Sequence, residues 1–146
     1  MTLYCQTVDV LPEAQMCRLG SGARSTHIIE RDPNTGADVE RYNYRWRDFE
    51  VTFYLSRQPE IATHLQGIVD YAYKRARANG FALDRDFVRR IQATRLVIGY
   101  EAGPNFQERS RFERLEDMIV AIRNSTGSLL FWEGGIYDEY GQLLVG

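Results

Sequence analysis

Lysine is almost missing from this chain. Lys74 is the only one among eighteen basic residues, and the rest are arginine. Arginine suits bidentate recognition of phosphate or carboxylate, but a GC-rich genome produces the same bias, and that explanation is preferred. Cysteine is scarce as well. Cys5 and Cys17 lie near the N-terminus without CxxC spacing and with no histidine beside them. Two thiols are too few for a structural zinc site, and in a reducing compartment they are expected as ordinary thiols rather than as a disulfide. The only histidines are His27 and His64. With no GxSxG elbow in the chain, a nucleophile–histidine–carboxylate triad has no recognisable frame. His27-x-x-Glu30 is not a ligand pair either, because strand residues three apart point to opposite faces. Both histidines are therefore read as structural, and no metal or cofactor is expected.

Long apolar runs are absent: none approaches the ~20 residues needed to cross a bilayer. Met1-Thr2-Leu3-Tyr4-Cys5-Gln6 has neither the basic lead nor the apolar core of a secretory signal. Cytoplasmic residence with no membrane partner is the expectation. A strong charge of one sign is also lacking. The net charge of -2 provides no global field to attract nucleic acid or an anionic surface.

What is present fits one globular domain over 1–146. Hydrophobic residues make up 44% of the chain and charged residues 26%. That balance lies far from the composition of disordered chains. The organising stretch runs from Arg95 to Trp132. Arg95-Leu96-Val97-Ile98-Gly99-Tyr100 and Ser128-Leu129-Leu130-Phe131-Trp132 are apolar without alternation, the pattern of strands buried on both faces. Between them Phe112, Leu115, Met118, Ile119 and Ile122 mark one face of a helix over Ser110–Asn124, which Thr126-Gly127 stops.

Upstream, residues Leu3 to Val10 are expected as a strand, followed by a short helix from Pro12 to Leu19. Gly20-Ser21-Gly22-Ala23-Arg24-Ser25 has the composition of a phosphate-cradling loop, but such loops follow a strand and open a helix. Here the order is reversed, so it is read as a connection. Asp32-Pro33-Asn34-Thr35-Gly36 predicts a hairpin turn. The aromatic residues fall on even numbers through Tyr42, Tyr44 and Trp46, then the apolar ones on odd numbers through Phe49, Val51, Phe53 and Leu55. That change of parity predicts a bulge or tight turn at Arg47-Asp48. Ile61, Leu65, Ile68, Val69, Ala72 and Ala76 form the stripe of the longest helix, with Pro59 in its first turn and Gly80 at its end. Asp84 is the expected N-cap of a short helix through Phe87, Val88 and Ile91.

The fold these elements imply is α+β: a two-layer sandwich whose mixed β-sheet carries two main helices packed on one face, with an N-terminal hairpin. Tyr42, Tyr44, Trp46 and Tyr54 would then line the open face, where a second copy of the chain could dock.

Three functions from different classes fit. Phe131 to Tyr140 interleaves aromatic residues and carboxylates around two glycines, as interfaces do when a charged rim surrounds apolar anchors. Trp132, Glu133, Tyr137, Asp138, Glu139 and Tyr140 are its partner-binding candidates. This reading, a small non-enzymatic protein that binds another protein in the manner of bacterial immunity or adaptor proteins, is preferred. Alternatively, Arg75, Arg77, Arg85, Arg89 and Arg90 form an anion site for nucleic acid or a phosphate ligand. The third reading is a hydrolase or lyase in which Glu133 and Asp138 do acid–base work.

Overall fold

The computed structural model describes residues 1–6, 18, 20 and 22–146. Eight strands, β1 (Thr2–Cys5), β2 (Arg24–Arg31), β3 (Asp38–Arg45), β4 (Glu50–Arg57), β5 (Leu96–Ala102), β6 (Leu129–Trp132), β7 (Gly135–Tyr137) and β8 (Leu143–Val145), form one sheet in the order β2-β3-β4-β5-β1-β6-β7-β8. Helices α1 (Ala62–Ala78), α2 (Arg85–Gln92) and α3 (Arg109–Thr126) pack against it, giving an α+β fold. The short helix expected over 12–19, with Cys17, lies outside the described residues apart from Arg18.

Local chemistry accounts for the elements. Asp32 Oδ1 accepts from the amides of Asn34 at 2.7 Å and Thr35 at 3.3 Å. Gly36 takes a positive φ, and together these close the β2–β3 hairpin. The change of parity at Arg47-Asp48 is a tight turn, closed by Trp46 N–H donating to Phe49 O at 2.8 Å. Helix α1 buries Leu65, Val69, Ala72 and Ala76, while Pro59 sits in the turn ahead of it rather than inside its first turn. Asp84 caps α2 by accepting from Asp86 N–H at 2.9 Å, as an N-cap side chain does. Gly127, in the left-handed conformation, ends α3.

Two expectations need correction. Every neighbouring pair of strands is antiparallel, so the sheet is not mixed. Strands β5 and β6 do run parallel to each other, as a strand–helix–strand unit requires, but β1 is inserted between them and opposes both. Leu3 pairs with Ile98 on one side and with Leu130 on the other. The helices also divide between the two faces. Helices α1 and α2 pack together over Tyr4, Val97, Leu129 and Ile136, whereas α3 packs over Leu3, Leu96, Ile98 and Leu130. Handedness constrains crossovers between parallel strands. Strands β4 and β5 are antiparallel neighbours, so the α1–α2 connection between them is free to take the face opposite α3.

The stretch from Arg95 to Trp132 is therefore central. Val97 and Leu130 are 7% and 6% exposed, each under a different helical layer. Cys5 is a free buried thiol, and burial pushes its pKa up to about 11. Tyr42 and Tyr44 do not line an open face: both are buried in the α3 layer with Phe53. Trp46 is half-buried against the same layer, with the Arg114 guanidinium 4.9 Å from its ring. Among the described residues no helix is long and apolar enough to cross a membrane.

Candidate functional site

The C-terminal aromatic stretch folds as two tight turns joining β6, β7 and β8. Glu133 and Gly134 both have positive φ. A two-residue turn matched to strand twist demands this of its central residues. The Tyr71 hydroxyl of α1 donates to Gly134 O at 2.6 Å and pins this turn to the helical layer. In the next turn Asp138 is 8% exposed, and its Oδ1 accepts from the amides of Tyr140 at 2.9 Å and Gln142 at 2.8 Å. Its carbonyl accepts from Arg123 of α3. Glu139 forms an ion pair with Arg90 of α2 at 2.5 Å. The Glu139 carboxyl is held below the ordinary glutamate range by its own backbone amide first and by Arg90 second.

The six residues singled out in this stretch therefore separate by role. Asp138 and Glu139 are engaged in holding turns, an arrangement that leaves Asp138 Oδ1 saturated with donors rather than open to a substrate. Trp132 and Tyr137, with ring centroids 6.5 Å apart, line a crevice of about 200 Å³. Its other walls are Phe112, Ile119 and Val120 of α3, Leu130 of β6 and Met1. Trp132 and Val120 are both exposed at its mouth, and Tyr140 beyond it is 87% exposed. Glu133 lies in the exposed turn next to Trp132.

The five arginines proposed for anion binding are split by their partners. Arg90 is held by Glu139, and Arg89 pairs with Asp86 at 2.9 Å. Arg75, Arg77 and Arg85 are exposed on α1 and α2.

Two features escaped reasoning from sequence. The first is an open polar groove of about 780 Å³ on the α1–α2 face of the sheet, beyond the part that those helices cover. Strand register builds it from two rows of side chains. Thr26, Asn43, Thr52 and Glu101 form one row, and Ile28, Arg41 and Tyr54 the other. Asn43 Nδ2 donates to Glu50 at 2.8 Å and to Thr52 at 2.9 Å, and the Tyr54 hydroxyl donates to Glu101 at 3.0 Å, which raises the phenol pKa. Arg41 and Arg45 pair with Glu30 and Glu50, each at 3.3 Å, so the groove has no field of one sign. Alternation of polar residues along β3 and β4 was the available signal.

The second is a charged cluster on the opposite face. Glu40, 8% exposed, accepts from His27 Nε2 at 2.9 Å and from Arg57, and the His27 ring stacks on Tyr42 at 4.2 Å. Three neighbouring strands contribute to it, so no spacing along the chain could have shown it. Among the described residues no group of three or more histidine, cysteine or acidic side chains could hold a metal ion. Comparison of the chain with protein-family models, curated proteins and solved structures finds no match.

Proposed function

We propose that this protein is a cytoplasmic binding module that takes one large apolar side chain of a protein partner into the crevice between α3 and the β6–β7 hairpin. The observation that supports the reading is the composition of that crevice. It is an apolar cleft of about 200 Å³ that keeps Trp132 and Val120 at its mouth and has Glu116 and Arg123 among its lining residues. Interfaces concentrate their binding energy in such water-excluding pockets, with a few aromatic anchors inside a charged rim. An immunity or adaptor protein of bacterial type is the finer form of the same proposal. The acid–base reading gains nothing from Asp138, whose carboxylate is committed to backbone amides.

Selection of a displayed peptide library on the intact protein tests this. Selected peptides share a single apolar anchor, and their affinity falls about tenfold or more on Trp132→Ala. Binding is unchanged by Tyr54→Phe on the other face of the sheet. Peptides indifferent to Trp132 would overturn the assignment.

A further inference from the structure

The two ends of the sheet are finished differently. Strand β8 is three residues long and meets β7 through a bulge, which is how proteins blunt an edge. Strand β2 at the other end has eight residues, and all but Ile28 are exposed.

Hydrogen bonding within the sheet determines which β2 groups face outward. Asp32 N–H donates to Ala37 O at 2.8 Å and continues the β2–β3 register, in which Glu30 opposes Val39 and Ile28 opposes Arg41. In an antiparallel ladder hydrogen-bonded pairs alternate with non-bonded ones. Arg24, Thr26, Ile28 and Glu30 therefore direct their backbone groups at β3, and Ser25, His27 and Ile29 direct theirs at the open edge. The β3–β4 ladder agrees, because Trp46 N–H donates to Phe49 O, which assigns the even-numbered residues of β3 to β4 and the odd-numbered ones to β2.

Charge along β2 is unbalanced. Arg24 stands directly opposite Arg45 and has no ion-pair partner among the described residues. A like-charged cross-strand pair of this kind costs stability. Glu30 lies six positions further along β2 with its side chain on the same face.

We infer that two copies of this chain join through their β2 edges, antiparallel and centred on His27. In this register the outward groups of Ser25 meet those of Ile29 in the second copy, and the two His27 residues meet at the axis. Each Arg24 then opposes a Glu30 of the other copy, and each Thr26 an Ile28. The pairing completes a row of backbone donors and acceptors, as strand addition does, and sets Arg24 opposite a carboxylate that is otherwise held only by the exposed Arg41 pair at 3.3 Å. Sliding one strand by a single residue would set outward groups against inward ones, so neighbouring registers of the other parity are excluded. The joined sheet also makes the two polar grooves neighbours, since Thr26 and Ile28 line each.

Charge reversal tests the pairing. In sedimentation the unmodified protein is a dimer at micromolar concentration. Glu30→Arg and Arg24→Glu each raise the dissociation constant about tenfold or more, because like charges then face each other at both ends of the interface. Mixing the two variants restores association, since every Arg–Glu opposition is rebuilt in the mixed pair. Recovery on mixing cannot come from misfolded protein, so it distinguishes pairing from damage. A monomer at high concentration, or a dimer indifferent to both reversals, would overturn the inference.

Discussion

The two flanks of the sheet obey opposite rules. On the β6–β8 side the strands are four, three and three residues long, and side-chain bonds tie their turns to α1, α2 and α3. Tyr71 of α1 holds the first turn, and Arg90 of α2 and Arg123 of α3 hold the second. On the β2–β4 side each strand has eight residues, the backbone ladder is long, and among the described residues no helix lies over the polar groove. Short strands cannot hold a sheet by backbone pairing alone and depend on packing. Long ones can leave a face and an edge to solvent. The lesson is that apolar recognition fits the tied flank, where a crevice is held in shape, and that polar recognition by backbone and ion pairs fits the open one.

Substitutions on the two flanks can break this comparison. The largest effect is expected for Ile136→Ala, since Ile136 is fully buried under α1 and α2. Its truncation costs about 2–5 kcal/mol by cavity formation. The matching change on the open flank is Ile28→Ala, in the groove. Ile28 is half-buried and outside the core, so its truncation costs less, about 1 kcal/mol. Urea unfolding of both proteins measures the contrast, and similar losses would mean that the open face is covered after all. Next comes Asp138→Ala, which leaves two turn amides without their acceptor. Both donors are on exposed residues that water can reach, so each lost bond costs about 0.5–1.5 kcal/mol.

The smallest effect concerns acid. The Glu139 carboxyl has a lowered pKa in the folded protein, so at low pH the unfolded chain binds more protons. The stability that Glu139 contributes is present above the ordinary glutamate value and is lost as pH falls through the lower folded one. Arg90→Gln should therefore make unfolding stability less steeply dependent on pH on the acid side and leave the neutral and alkaline range parallel to the unmodified protein.

Much of the fold was legible because its signals are local. The Asp32–Gly36 turn, the change of parity at Arg47-Asp48, the α1 stripe and the Asp84 cap each depend on residues a few positions apart. Burial of Val97 and Leu130 followed from the lack of alternation around them. The insertion of β1 between β5 and β6 was not legible, because four residues at the N-terminus pair with partners more than ninety positions away and carry no mark of it. That missing fact led to the mixed sheet, whereas the single helical face failed because β4 and β5 are antiparallel neighbours and leave the α1–α2 connection free of the crossover rule. At the site, aromatic richness directed attention to Trp132, Tyr137 and Tyr140. The division of labour among the carboxylates was hidden, since the buried turn role of Asp138 and the distant partner of Glu139 exist only once the helices are in place.

Amide hydrogen exchange on the Glu30→Arg protein, followed residue by residue, tests the contrast between covered centre and open flank most directly. The account predicts alternation along β2, with Ser25, His27 and Ile29 exchanging almost unprotected between slower Thr26, Ile28 and Glu30→Arg, while Leu3, Tyr4, Val97 and Leu130 exchange only through global unfolding. Uniform protection along β2, or fast exchange in the β5–β1–β6 centre, would contradict it.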